Sequence, residues 1–191
     1  MSENEIITKV RDILNEHVPD GAVSLDGITE DRVLLEDYIK SAIPDAVVML
    51  AQKGYAVNVH EFEDLEDGEY CAIPADFISL IEVKLDTWRR AVNTVHSVGS
   101  PGYIMAQNEF TQPGPNTPIC WKEHDRLIFL PPGESFGIGM YNTAYDTEEG
   151  INAEPKEATA VCYMTAALVL GTFGDDNGKQ RLSDVATNML Q

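Results

Sequence analysis

The chain has 191 residues, 43% of them hydrophobic, and a formal net charge of −19 at pH 7. That length suits one domain, or a main domain with a smaller inserted lobe, and the hydrophobic fraction supports a buried core rather than global disorder. Because 32 acidic residues outnumber 13 basic ones, the chain should be repelled by nucleic-acid phosphates and by anionic membrane surfaces. The charge does not exclude a protein that surrounds DNA without gripping it.

Neither the cysteines nor the apolar segments indicate secretion or a membrane anchor. Cys71, Cys120 and Cys162 are odd in number and widely spaced, so we expect buried thiols in a reducing compartment and no disulfide framework. The N-terminal segment MSENEIITKV lacks the pattern of a secretory signal. The longest apolar run, residues 158–173, is 16 residues long, whereas a membrane span needs about 18 or more.

Helical periodicity marks the first part of the chain. Residues 3–17 carry apolar side chains on one helical face. A longer apolar stripe runs over residues 35–50 and keeps its phase across Pro44, so we predict one kinked helix.

Acidic residues dominate the segment that follows. Residues 54–75 contain no lysine or arginine, and we predict a solvated turn between short extended pieces, with Asp67-Gly68 as the turn dipeptide. The acids are Glu61, Glu63, Asp64, Glu66, Asp67 and Glu69.

The middle of the chain has the patterns of strands. Residues 78–85 alternate, which predicts a half-buried strand. Residues 118–121 and 126–130 flank KEHD and predict a hairpin, and residues 135–141 predict a further strand. In the first of these strands, Ile81, Val83 and Leu85 are expected on one face and Glu82, Lys84 and Asp86 on the other.

A long segment rich in Gly, Pro and Asn separates the first of these strands from the hairpin. It spans residues 93–117, and we predict one short helix near 101–108 within it. Compact domains rarely contain such a segment unless it is functional or is supported by a neighbour.

The chain returns to helix at its end. Residues 157–173 are apolar nearly all round, which predicts a helix that is buried on most sides, with Pro155 in its first turn. A weakly amphipathic last helix follows the break at 174–178.

The order helices, strands, helices predicts an α+β fold. We expect a helical bundle formed by the N- and C-terminal helices, with a small antiparallel β domain inserted. The expected boundaries are 1–56 for the first part of the helical body, 57–152 for the β-rich lobe and 153–191 for the rest of the body.

Trp88, Arg89 and Arg90 form a notable group, since bases are few in this chain. In one interpretation the tryptophan caps the core at a strand end and the arginines pair with local acids. In the other, the three residues form a contact patch, because Trp and Arg often anchor protein interfaces. The acidic surface of an identical neighbour would complement such a patch, and a head-to-tail contact of this kind can close into an oligomeric ring.

A search for catalytic or metal-binding groups gives no strong candidate. His60, Glu61, Glu63 and Asp64 are possible metal ligands, but adjacent residues of a strand point to opposite faces, and EF-hand spacing is lacking. We therefore prefer the solvated turn. The sequence has no GxSxG signature, P-loop or dinucleotide motif, and we expect no enzyme, cofactor or metal.

Four segments, taken in chain order, resemble head–tail connector proteins of tailed bacteriophages, of the kind found in crAss-like and other Bacteroides phages and related prophages. The resemblance covers about residues 33–173. It depends on a proline-containing turn that leads into a strand and a Trp, followed by a short hairpin and an alanine-rich late helix. The segments are YIKSAIPDAVVML, IPADFISLIEVKLDTWRRAV, PGYIMAQNEFTQPGPNTPIC and EATAVCYMTAALVLGTF.

The resemblance implies a structural protein without cofactors or catalytic residues. Such proteins have a helical body with an inserted β domain, and they assemble as rings beneath the portal and extend the DNA channel toward the tail. It implies a place in the virion at the head–tail junction, after synthesis in the bacterial cytoplasm. The partners would be copies of the chain, the portal protein and the next neck or tail protein.

Two hypotheses about particular segments follow from that family. An acidic channel lining would repel phosphates and let DNA pass without specific binding, and the acids of residues 61–69 are candidates for it. Residues 93–117 would lie across a neighbouring subunit. The alternatives are another neck or tail-completion protein and a small acidic metal-binding enzyme.

Overall fold

The computed structural model of the protein describes residues 1–17, 29–63 and 65–191. These residues form an α+β fold with helices at both ends of the chain and two small sheets between them, which confirms the predicted fold class. The helices are α1 Glu3–His17, α2 Thr29–Gln52, α3 Pro101–Ala106, α4 Pro155–Thr172 and α5 Asp176–Leu190. The strands are β1 Val59–Glu61, β2 Tyr70–Ala72, β3 Phe77–Leu85, β4 Val95–Ser97, β5 Ile119–Glu123, β6 Arg126–Leu130 and β7 Phe136–Thr143.

The chain divides into two compact units. The helical body comprises Met1–Asn58 and Ala144–Gln191, and the lobe comprises Val59–Thr143. The sequence placed the end of the lobe at residue 152. In the folded chain Asn58 holds the segment after the lobe to the helical body, since its side chain donates to the Ala144 carbonyl oxygen at 3.2 Å and accepts from the Asn152 backbone N–H at 2.8 Å.

Helix α4 is the centre of the helical body, because it packs against α1, α2 and α5. Nine of its residues are buried, as its nearly all-round apolar sequence requires. Helix α2 continues through the exposed Pro44 and buries one face on both sides of it, so the prediction of a single helix is confirmed. Among the described residues, none of the helices has both the length and the apolarity that crossing a bilayer requires.

The lobe contains two sheets that share one core. Their strand orders are β1-β7-β3 and β2-β6-β5-β4. All the pairs are antiparallel except β4 with β5. This parallel pair departs from the expected antiparallel domain, and it arises because the chain crosses over through α3 between the two strands. The core combines Leu80, Val83, Leu85 and Tyr141 from the first sheet with Cys71, Cys120, Leu127 and Phe129 from the second.

Strand β3 departs from the simple alternation of its sequence. Val83 and Leu85 are fully buried as expected, but Leu80 is buried in place of Ile81, which is only half-buried. The pairing with β7 shifts register between Leu80 and Glu82. A bulge inserts one extra residue into a strand, so the residues before it face the opposite side of the sheet from the side that simple alternation predicts. The expectation that Ile81 shares the buried face was therefore wrong.

The predicted Asp67-Gly68 turn is present. Both residues have positive φ, +50° and +73°, and the Glu69 N–H donates to the Glu66 carbonyl oxygen at 3.1 Å, which is the geometry of a type I′ turn. A side chain at position 68 would also not fit, because a Cβ there would lie 2.4 Å from the Gly133 carbonyl oxygen.

Replacing Gly68 with alanine should destabilise the lobe more than the same change at Gly99. Gly99 also has a positive φ, +84°, but a Cβ there would meet nothing within 4 Å. Gly99→Ala should therefore cost only backbone strain, about 1 kcal/mol, whereas Gly68→Ala adds a clash with backbone and should cost about 2–4 kcal/mol. Urea unfolding of the two variants measures this difference. Equal losses in the free energy of unfolding would show that the Gly133 backbone moves to make room for a Cβ at position 68.

Candidate subunit-interaction surface

Trp88 belongs to the core of the lobe. Its side chain is 3% exposed, its ring meets Phe129 edge-on at 6.2 Å between centroids, and its Nε1 donates to the Pro131 carbonyl oxygen at 2.6 Å. A side chain buried to this extent has almost no surface to offer to a second subunit.

Arg89 and Arg90 are placed differently from the tryptophan, since both side chains are exposed. Among the described residues neither has a carboxylate within ion-pair distance, and the ion pairs found there lie in the helical body. The pairing of these arginines with local acids is therefore not seen in the described part of the chain. The Arg89 N–H donates to the Pro115 carbonyl oxygen at 2.8 Å, which places the arginines beside the end of the long segment 93–117.

The acidic segment is a solvated face of the lobe. Its carboxylates at positions 61, 63, 66, 67 and 69 are exposed, and between them Phe62 is buried and Leu65 is half-buried. Asp64 lies outside the described residues. His60 and Glu61 lie on the short strand β1, and among the described residues no three His, Cys, Asp or Glu side chains come together as metal ligands would.

An open groove lies between this acidic segment and β7. We call it the β7 groove; it encloses about 580 Å³, and it is lined by Glu61, Phe62, Glu63, Leu65 and residues 134–140. It exists because β1 is short. That strand pairs with residues 140–142 of β7, and within the described residues the stretch from Phe136 to Ile138 is paired on one side only, by β3.

The β7 groove has an aromatic floor and an acidic rim. The rings of Phe62 and Phe136 stack at 5.7 Å between centroids. Gly139 allows this approach, because a Cβ there would lie 3.0 Å from Phe136 and 3.4 Å from Phe62. Glu61, Glu63 and Glu134 stand exposed around these rings, so the groove suits an apolar group that is accompanied by positive charge.

The long segment 93–117 carries the most exposed apolar side chains of the lobe. We call residues 98–111 the loop tip. Val98, Ile104 and Met105 are each more than half exposed, and Phe110 is 94% exposed. The predicted short helix is present as α3, but the sequence pattern did not single out these four residues. Only burial in the folded lobe distinguishes them from core side chains.

Several contacts attach the loop tip to the neighbouring strands. Helix α3 packs on His96, since a Cβ on Gly102 would lie 2.7 Å from that ring, and Tyr103 meets Trp121 edge-on at 5.8 Å between centroids. Beyond the helix, the Thr111 hydroxyl donates to the Met105 carbonyl oxygen at 2.8 Å. These contacts attach α3 to β4 and β5 and link Thr111 back to the end of the helix.

The three cysteines are buried and free, as the sequence suggested. Burial raises the pKa of Cys71 to about 12 and the pKa of Cys162 to about 11, and it also raises the pKa of Cys120. Thiols that resist ionisation in this way are packing groups rather than nucleophiles. His124 lies in the tight turn between β5 and β6, which confirms the predicted hairpin.

Comparison with known proteins adds no family to this description. A scan against protein-family models finds no match, and a search among curated proteins finds no significant match.

The two parts of the Trp-Arg-Arg group should respond differently to mutation. Trp88→Phe removes a buried hydrogen bond and leaves space in the core, so it should lower the free energy of unfolding by about 1–3 kcal/mol. Arg89→Glu with Arg90→Glu changes only exposed groups and should stay within about 0.5 kcal/mol of the parent chain. Urea unfolding measures both, and a large loss in the arginine variant would show that these cations support the fold.

Proposed function

We propose that this chain is a structural subunit of the head–tail connector of a tailed bacteriophage, an adaptor that docks on the portal as an oligomeric ring and extends the DNA channel toward the tail. The proposal includes no catalytic activity and no cofactor. The observation that carries it is the loop tip, which holds Phe110 at 94% exposure on a well-packed lobe. Four large apolar side chains that are exposed within residues 98–111 favour a protein–protein contact.

The architecture supports the same proposal. The resemblance over residues 33–173 implies a helical body with an inserted β domain, and the chain has that arrangement. Helices α1, α2, α4 and α5 form the body, and both sheets lie in the insert. Proteins with one architecture can have many different functions. The architecture therefore supports the proposal only in combination with the exposed loop tip and the acidic charge.

The distribution of charge also fits passage of DNA. Glu66, Asp67 and Glu69 are exposed together at one turn of the acidic segment, and the net charge of the whole chain is −19. A channel wall of this sign would repel phosphates, which keeps DNA from adhering during packaging and ejection.

Docking on the portal is the direct test. When the purified chain is mixed with the portal protein of its own phage, electron microscopy should show portals with extra density at one end, and portal alone serves as the control. Binding instead to an isolated tail or neck component, with the portal left bare, would favour a tail-completion protein and would contradict the adaptor role.

The acidic turn should affect the movement of DNA. Phage that carry Glu66→Lys with Glu69→Lys should eject DNA more slowly than the parent, because lysines at the channel wall bind phosphates. The matched control is Glu123→Lys with Asp125→Lys, an equal charge change in the exposed β5–β6 turn. The rate of DNA release is the measurement. Equal slowing in both variants would show that total charge matters and that Glu66 and Glu69 do not line the channel.

A further inference from the structure

We infer that the loop tip of one copy binds in the β7 groove of the next copy, with Phe110 placed against the half-buried Phe136. This contact rests on the proposed function, because it requires copies of the chain that lie side by side. The loop tip and the β7 groove would be the two surfaces that join neighbouring copies, and the contact would be head-to-tail.

The loop tip has the form of a preorganised anchor. Its backbone is fixed by the Phe110 N–H, which donates to Asn108 Oδ1 at 2.9 Å, and by the Thr111 hydroxyl bond to Met105. Backbone order of this kind lowers the conformational entropy lost on binding. Aromatic side chains that are exposed on a rigid support are the usual centre of an interface.

The β7 groove has the form of a matching receptor. Its floor offers the half-buried ring of Phe136, which stacks on the buried Phe62, and a further aromatic ring packs favourably on such a face.

Charge complements the apolar fit. Arg89 and Arg90 stand exposed beside the end of the segment that carries the loop tip, and Glu61 and Glu63 stand exposed on the β1 side of the groove. Seating the loop tip would bring the two arginines toward these acids. In a chain of net charge −19, this local attraction offsets repulsion between copies.

The two surfaces are formed by different segments of the lobe. The loop tip follows β4, which is one edge of the sheet β2-β6-β5-β4. The groove segment that ends at Leu65 runs into the opposite edge, because Glu66 bridges to Tyr70 at the start of β2. Different surfaces that bind each other give a heterologous contact, which repeats from copy to copy and closes into an oligomeric ring when the rotation permits.

Cross-linking between two different single-cysteine variants tests the contact. Glu109→Cys places a thiol beside Phe110, and Gly137→Cys places one in the groove, where a Cβ would meet only the Lys84 carbonyl oxygen at 3.4 Å. The native cysteines are buried. With a short bis-maleimide, a mixture of the two variants should give dimers. Either variant alone, or Glu109→Cys mixed with Glu123→Cys, should not.

Phe110→Ser provides the energetic control. Added to the Glu109→Cys chain, it should reduce cross-linking on the order of thirtyfold, as expected for a central anchor residue. Phe173→Ser removes another exposed phenylalanine, in the helical body, and should leave cross-linking unchanged. Equal effects of the two substitutions would contradict a specific role for Phe110.

The experiment is run on the concentrated chain and on the chain bound to its portal, so that the two proposals can fail separately. Fully decorated portals without cross-linked dimers would overturn the loop-and-groove contact and retain the connector function. Cross-linked dimers with bare portals would support the contact and overturn the function. If neither is seen, both are wrong.

Reversal of charge gives an independent readout. Arg89→Glu with Arg90→Glu should weaken association while the fold is kept. Adding Glu61→Arg with Glu63→Arg to the same chain should restore it, because the two surfaces then carry opposite charges again. Sedimentation velocity measures both variants. If Glu61→Arg with Glu63→Arg does not restore association, Arg89 and Arg90 do not contact the groove, and their part in the proposed contact is overturned.

Discussion

The structure of the lobe depends on one shared core, in which side chains from both sheets pack around Phe129 and Trp88. The bond from Trp88 Nε1 to the Pro131 carbonyl oxygen joins the end of β3 to the segment after β6. Nearby, Asp86 Oδ1 accepts from the Glu134 N–H at 2.9 Å, which fixes the wall of the β7 groove to the same strand end. The exposed arginines and the groove therefore take their positions from the core.

An acidic chain that assembles with itself must overcome its own charge. Copies of net charge −19 repel each other over roughly a Debye length, about 10 Å at moderate salt. Short-range apolar contacts, with a few cations placed where they meet acids, are the physical means to oppose this repulsion. The lobe offers both, since the segment that carries the exposed Phe110 meets the Arg89 backbone at Pro115.

Much of the fold was predictable from local patterns. The 3.6-residue periodicity located α1, α2 and α4 because each buries a stripe or more of its surface, and turn chemistry located Asp67-Gly68 and the β5–β6 hairpin. The parallel β4–β5 pair and the bulge near Ile81 were not predictable. Both depend on pairing between segments that are distant in sequence, and a three-residue strand such as β4 carries too little pattern to reveal its partner.

The sequence by itself determined the fold class, the acidic surface and the presence of an unusual Trp-Arg-Arg group, because composition and periodicity are local properties. Tertiary structure decided what these features do. It buried Trp88 and left Arg89 and Arg90 in solvent, since only the tryptophan reaches the core of the lobe. It also exposed Phe110 and opened the β7 groove. Both features depend on how distant segments pack together, since packing decides which side chains are exposed and how much of β7 is paired with β1.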